Sequence, residues 1–263
     1  MLYKVGLCQF NPVFLEKKEN FERIESLLRN VFADLIVLPE LATSGYVFKS
    51  HEELEKVSEP AEGETYAFLK EIAREKNMSI VMGFPEKYKG NIYNSAMLVN
   101  PNGEQHVYKK IHLFYEEKKW FEPGKEGFKV YKAKNDVKVG LMVCFDWIFP
   151  ESARSLAVQN AQIIAHPANL VLPWCQKSMV TRSIENRVFT ITANRVGKEC
   201  NKGSEQVFTG QSQITAPDGT VIKSLNKEEE KVITAEIIPQ KADDKNVNEY
   251  NHIFNDRKKE LYL

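Results

Sequence analysis

The sequence is short of the features that mark several functional classes. It has no excess charge, since 36 Lys and Arg residues balance 36 Asp and Glu residues. Nothing therefore draws the whole chain onto nucleic acid or an anionic membrane surface, and the expected partner is a small molecule or a second copy of the chain. No apolar run approaches membrane-spanning length. The opening Met1 to Phe10 is interrupted by polar residues too early for a signal segment, so a cytoplasmic location is expected. Cysteine is scarce, with Cys8, Cys144, Cys175 and Cys200 far apart and no CxxC pair. That spacing argues against a disulfide framework and a structural zinc site, and no metal or cofactor is expected. No linker rich in Gly, Pro or Ser divides the 263 residues. Residues 1–263 are thus expected to form a single domain, with a polar tail at 239–263 that either lies on the surface or packs on a second subunit.

What is present is an alternation of strands and helices. Residues 3–9 read as a buried strand, 17–31 carry Phe21, Ile24, Leu27, Leu28 and Val31 at helical spacing, and 34–38 reads as a strand, apolar from Leu35 onward. A helix at 64–76 precedes strands at 79–84, 92–99 and 105–110, the last reached through the turn Asn100-Pro101-Asn102-Gly103. Strands are expected at 128–132, 137–143, 162–166 and 189–194, with helices opening at Pro150 and running over 177–188. A hairpin of 207–216 and 220–225 turns at Pro217-Asp218-Gly219, and a strand at 231–237 follows. Parallel βα units mixed with hairpins predict an α/β fold with mixed sheets packed face to face and helices outside.

Three apolar runs end on chemically useful residues. Leu35 to Pro39 leads to Glu40, Val107 to Lys109 leads to Lys110, and Leu141 to Val143 leads to Cys144. Cys144 sits where a strand gives way to a helix opening at Pro150. That elbow exposes its sulfur and turns the Phe145 N–H toward a developing oxyanion. Each residue also has a plain reading: Cys144 as a small core residue, Glu40 as a solvated strand end, Lys110 as ordinary decoration of a strand end. A carboxylate, an ammonium and a thiol delivered together are the parts of a thiol hydrolase.

These residues resemble a known family. Leu38-Pro39-Glu40, Tyr108-Lys109-Lys110-Ile111-His112-Leu113, and Val143-Cys144-Phe145-Asp146 with Pro150-Glu151 are similar, in order and spacing, to the signature blocks of the nitrilase superfamily of carbon–nitrogen hydrolases. Phe121-Glu122-Pro123-Gly124, His166-Pro167-Ala168-Asn169 and Arg182 to Asn186 extend the likeness across nearly the whole chain. The resemblance implies a four-layer α-β-β-α sandwich with two mixed sheets, in homodimers or larger assemblies. It implies a Glu-Lys-Cys triad with Glu40 as base, Lys110 as oxyanion stabiliser and Cys144 as nucleophile. Glu117, rather than its neighbour Glu116, matches a further acidic residue beside the triad.

An unperturbed thiol has a pKa of about 8.5, so attack needs a group to take its proton, and Glu40 can do so. The expected reaction is hydrolysis of a small linear amide through a thioester on Cys144, with carbamoyl-amine or nitrile hydrolysis by the same triad as alternatives. A non-catalytic binding protein of the same fold is the alternative from another class. A Cys–His pairing of Cys144 with His112 or His166 is the rival mechanism. The candidate substrate wall is Tyr46, Trp120, Phe121, Trp147, Asn169 and Trp174. Arg182 and Arg195 are the candidates for holding a substrate carboxylate, although an internal pair with Glu185 is the plainer reading of Arg182. Cys175 is expected to line the pocket or pack.

Overall fold

Strand alternation decides the layering. Along residues 3–9, Val5 and Leu7 enter one apolar cluster and Cys8 another; Leu35 and Val37 oppose Ile36, and Ala96 and Leu98 oppose Met97 and Val99 in the same way. A strand apolar on both faces must be covered on both, so each sheet needs a layer above and below it.

The computed structural model describes residues 1–262. In chain order the elements begin β1 (Tyr3–Gln9), α1 (Lys17–Leu28), β2 (Leu35–Val37), α2 (His51–Val57), α3 (Glu64–Lys76), β3 (Ser79–Tyr88), β4 (Asn91–Val99), β5 (Gln105–Lys109) and α4 (Glu117–Trp120). They continue with β6 (Val130–Lys132), β7 (Lys138–Leu141), α5 (Pro150–Ala157), β8 (Ile163–Ala168), α6 (Cys175–Asn186), β9 (Phe189–Asn194), β10 (Lys198–Asn201), β11 (Ser204–Val207), β12 (Gln213–Thr215), β13 (Val221–Ser224) and β14 (Lys231–Ile237).

Two six-stranded mixed sheets result, ordered β14-β1-β2-β3-β4-β5 and β13-β12-β9-β8-β7-β6. In each, a parallel trio (β1-β2-β3 and β7-β8-β9) is flanked by antiparallel strands. The sheets face each other through β1, β2 and β3 against β8 and β9, while α1 and α3 cover the first and α5 and α6 the second. This is the expected α-β-β-α sandwich. Among the described residues, no helix is long and apolar enough to cross a membrane.

The structure departs from the sequence reading in several places, among them α4 and β10, which lie where no element was expected. Residues 207–216 are not one strand: Gly210 and Gln211 both adopt φ of +56°, and the chain breaks there into β11 and β12. β11 instead pairs with β10, forming a separate small hairpin over the site. Helix α2, with Ser50 accepting from the Glu53 N–H at 3.2 Å as its cap, was not anticipated, because seven residues carry too few turns for a readable period. In the tail, Lys245 donates to the carbonyls of Asn186 (3.0 Å) and Arg187 (2.8 Å), which ties it to the end of α6. Phe254 packs partly buried on the core, whereas Tyr250, Leu261 and Tyr262 are exposed; Leu263 lies outside the described residues.

Gly83 in β3 marks a close backbone approach next to Glu40. A Cβ there would stand 2.5 Å from the Glu40 Cα and 2.6 Å from the Leu41 N. Because the obstacle is backbone, Gly83→Ala should lower stability by about 1–3 kcal/mol in urea unfolding and reduce any turnover that uses Glu40. An unchanged midpoint would mean that the 38–42 segment moves aside freely.

Candidate active site

Glu40 reaches the centre of the molecule because its segment goes on pairing with β3 after β2 ends. The Leu38 N–H donates to the Val81 carbonyl (2.7 Å), Gly83 N–H to Pro39 (3.0 Å) and Ala42 N–H to Gly83 (3.0 Å), with Leu41 at φ +47° turning the chain away. Glu40 is fully buried. Its Oε1 accepts from Lys110 Nζ and from Asn94 Nδ2, both at 2.7 Å, whereas its Oε2 is buried with no hydrogen-bond partner.

Lys110 is the first residue after β5. Its N–H donates to the Asn94 carbonyl and its own carbonyl accepts from Gly124 N–H, both at 2.8 Å, and these bonds fix the side chain inward. Lys109 points the other way, to Glu86 (3.3 Å) and the face of Tyr88 (4.2 Å). Lys110 Nζ also donates to Glu117 Oε1 at 2.8 Å. An ammonium has three donors, so one remains uncommitted among the described residues. Glu117 opens α4 and accepts from the Tyr46 hydroxyl at 2.7 Å, while Glu116 turns outward to Lys49 and Lys119. Glu117 is thus the residue that joins the cluster.

Cys144 stands at φ +42° between β7 and a 3₁₀ turn over Cys144–Ile148. A non-glycine residue there is strained, and the carboxylate of Asp146 holds the turn in place. Asp146 Oδ2 accepts from Val143 N–H and the Tyr108 hydroxyl, both at 2.8 Å; Oδ1 accepts from His112 N–H (3.3 Å) and lies 2.7 Å from His112 Nδ1. His166 lies 2.9 Å through Nε2 from the Cys144 carbonyl oxygen and 3.1 Å through Nδ1 from Thr192 Oγ1. The geometry therefore gives His112 and His166 scaffolding partners and not the sulfur.

Electrostatics follow from three charged groups in a dry space. Burial alone would depress the Lys110 pKa, but Glu117 and Glu40 outweigh it and hold the ammonium protonated. Burial raises the Glu117 pKa, reinforced by Glu40 and opposed by Lys110 and Tyr46. The Cys144 thiol is pushed well up, first by burial and then by Glu40; Lys110 and the Asn169 N–H pull the other way without reversing it. A thiolate would place negative charge in the same buried space as two carboxyl groups, so the protonated sulfur is favoured.

The expected wall residues divide between two clefts that share Phe114. One contains Tyr46, Phe48, Glu117, Trp120 and Phe121; the other holds Cys144 with Phe145, Trp147, Asn169 and Leu170 to Leu172. Trp174 lines neither, being 57% exposed at the start of α6. Asn169 is buried and both polar atoms of its side chain lack a partner. Arg182 bonds the carbonyls of Trp147 and Ile148 and Glu185 (3.1 Å), and Arg195 is paired through Nη1 with Glu199 (2.7 Å) while its Nε is buried without a partner, so both guanidinium charges are already matched by a carboxylate of the chain. Cys175 is buried in the core, where it packs. Among the described residues, no group of three or more His, Cys, Asp or Glu is arranged to hold a metal ion.

Residues 4–245 match the family model described as carbon-nitrogen hydrolase. The chain belongs to the carbon-nitrogen hydrolase family. It is 44% identical over 266 residues, covering 100% of both chains, to a Pyrococcus abyssi protein named nitrilase. It is 34% identical over 200 residues, 74% of this chain and 70% of the other, to an (R)-stereoselective amidase of Pseudomonas sp. The solved structure of a carbon-nitrogen hydrolase from Helicobacter pylori G27 shares the fold with a TM-score of 0.83 at 24% identity, covering 99% of this chain and 97% of that one.

Two residues of this carbon-nitrogen hydrolase site escaped the sequence reading as site residues. Asn94 lies inside an apolar strand, where one amide breaking the pattern was the available signal. Asp146, quoted only as part of a motif, shows its four contacts only once β5 and β7 are brought together. His166 allows a test of the scaffolding reading. Its pKa is pushed down to about 4 by burial, partly countered by its bond to the Cys144 carbonyl. Between pH 4 and about 6.5 the unfolded chain therefore binds the extra proton, and stability rises with pH across that window. Up to about 3 kcal/mol is at stake, lost as the pH falls. Thermal unfolding of wild type and His166→Asn over pH 4–7 should show a flatter profile in the variant, with turnover retained. A variant inactive at unchanged stability would restore the histidine scheme.

Proposed function

We propose that this carbon-nitrogen hydrolase is an amidase that cleaves small, uncharged linear amides through a thioester on Cys144. The observation that carries the reading is the unpartnered, fully buried Oε2 of Glu40, in a cluster that contains a thiol whose pKa burial pushes well up. A buried carboxylate oxygen left without a donor is costly, and its use is to receive a proton.

In the first step Cys144 gives its proton to Glu40 Oε2 as Sγ bonds to the amide carbon, and the carbonyl π electrons move onto oxygen. That oxyanion meets the uncommitted N–H of Lys110 and the Phe145 N–H; losing one such donor costs roughly 10²- to 10³-fold in rate. Glu40 then protonates the nitrogen, the C–N bond breaks, and ammonia or an amine leaves. Water next gives a proton to Glu40 and attacks the thioester. The C–S bond breaks, sulfur recovers the proton, and the carboxylic acid departs. Glu117 stays out of this circuit and holds Lys110 and Tyr46 in place.

The amide is expected to be uncharged because Arg182 and Arg195 are engaged and the wall around Cys144 is apolar or aromatic. Nitrile hydrolysis is the second reading, favoured by the Pyrococcus abyssi relative named nitrilase. Assembly into at least a homodimer is proposed from the exposed Tyr250, Leu261 and Tyr262 on the tail.

Ammonia release should be measured from short aliphatic amides, ω-amides of dicarboxylates, carbamoyl amines and nitriles. The aliphatic amides should be turned over best, Cys144→Ala should be inactive, and Glu40→Gln should fall by about 10²- to 10⁴-fold. Mass spectrometry should find the acyl group on Cys144. Turnover of nitriles alone would reassign the enzyme as a nitrilase; no adduct with any substrate would remove the thioester.

A further inference from the structure

Between β9 and the small β10-β11 hairpin lies a second buried charge cluster that the proposed reaction does not use. Arg195 is fully enclosed and Glu199 nearly so, four residues apart around Gly197 at φ +82°. Nη1 of Arg195 donates to Glu199 Oε2 at 2.7 Å, its Nη2 donates to Asn11 Oδ1 at 2.6 Å, and its guanidinium lies 3.9 Å over the Phe208 ring. A buried ion pair is weak evidence for stability, since its desolvation cost offsets most of its attraction; holding geometry is its better attested use.

The geometry held is that of Tyr46. Residues 46–49 have no regular secondary structure, and the N–H groups of Tyr46 (2.8 Å) and Val47 both donate to Glu199 Oε1. A second route runs through packing, because the Phe208 ring beneath Arg195 meets the Tyr46 ring edge-on at 5.9 Å. Both routes end at the Tyr46 hydroxyl, which donates to Glu117 Oε1, the oxygen that also binds Lys110.

We propose that Glu199, braced by Arg195, is a positioning residue for the amidase centre: it fixes the Tyr46 backbone so that the Tyr46 hydroxyl holds Glu117, and through it Lys110, in register. The inference rests on the amidase reading for its kinetic arm only. The titratable and charged groups facing Glu117 are Lys110, Glu40, Cys144 and the Tyr46 hydroxyl, with the Phe114 N–H donating to its Oε2 at 3.3 Å, and the hydroxyl stabilises the ionised carboxylate. When Glu199 no longer grips its loop, that hydrogen bond loosens and Glu117 holds its proton to higher pH. The effect appears in the acid limb of the pH profile, where Glu117 takes up its proton.

The test compares wild type, Glu199→Gln, Tyr46→Phe and the double variant, in turnover of a short aliphatic amide and in alkylation of Cys144 by chloroacetamide, each across pH. Both single variants should move the acid limb upward by about half to one pH unit, the worth of one hydrogen bond. Turnover should fall roughly tenfold, mainly in kcat with KM little changed, because Lys110 acts after attack begins. The double variant should go no further than the singles, as expected of links in one chain. A folded Glu199→Gln with a wild-type profile, an unmoved Tyr46→Phe, or additive displacements would each overturn the proposal. If Glu199→Gln does not fold, Glu199→Asp decides, since it keeps the charge beside Arg195 but shortens the reach to the Tyr46 and Val47 N–H groups; an unmoved limb then refutes the relay. Alkylation separates the two readings: displaced alkylation profiles beside a wild type inactive on every amide would retain the relay and reject the amidase.

Discussion

The arrangement turns on one cation held between two carboxylates where water does not reach. Lys110 Nζ lies 2.7 Å from Glu40 and 2.8 Å from Glu117. Removing the ammonium would leave two like charges with no counterion in a low-dielectric space, a penalty far above that of a lost surface pair. In the proposed reaction the same cation stays paired with Glu40 while that carboxylate serves as the base. It also leaves one N–H free for charge that appears only once a reaction has begun, where a fixed dipole or cation is most effective. Binding and positive charge are thus built from the same atom.

The fold supplies this meeting point by repeating one pairing pattern. The site gathers at the C-terminal ends of parallel strands from both sheets: Glu40 beyond β2, Cys144 beyond β7 and Asn169 beyond β8, with Lys110 arriving from the edge strand β5. Such strand ends are where backbone leaves the ladder and side chains can converge. Close approach is then needed, and two glycines permit it. Gly83 lets the Glu40 segment lie on β3, and at Gly124 a Cβ would stand 2.1 Å from the Lys109 carbonyl oxygen, so the loop can lie across Lys110 only without a side chain.

How much of this was legible depended on whether the signal was local. The central strands and the helices α1 and α3 declare themselves by period, and α5 by Pro150 in its first turn. Glu40, Lys110 and Cys144 declare themselves because each ends an apolar run, a position that means the same in any tertiary setting. Glu117 was separable from Glu116 only by likeness to a family; the structure gives the physical reason, since α4 turns one toward Lys110 and the other toward Lys49 and Lys119. Asn94, Asp146 and Glu199 were not legible as site residues. Each acts on a partner at least 34 residues away along the chain, and no window of sequence contains both ends. Trp174 shows the converse hazard: an aromatic residue near a motif was read as wall, but its side chain faces solvent.

The strained elbow and the protonated thiol fit together. At φ +42° the Cys144 backbone is held by neighbours, chiefly Asp146, and not by its own preference. A thiolate stored beside a cationic histidine would tolerate looseness, because its charge draws partners in. A neutral thiol does not: it must already be aligned with the atom that takes its proton, since the proton moves only as the bond to carbon forms. That requirement accounts for spending a fully buried aspartate, a tyrosine and two histidines on the geometry of a few backbone atoms around the sulfur. It also makes His166 intelligible as a neutral group, because a charged imidazolium hydrogen-bonded to the Cys144 carbonyl would stabilise a resting thiolate and weaken the need for Glu40. In this site rigidity stands in for preformed charge on sulfur.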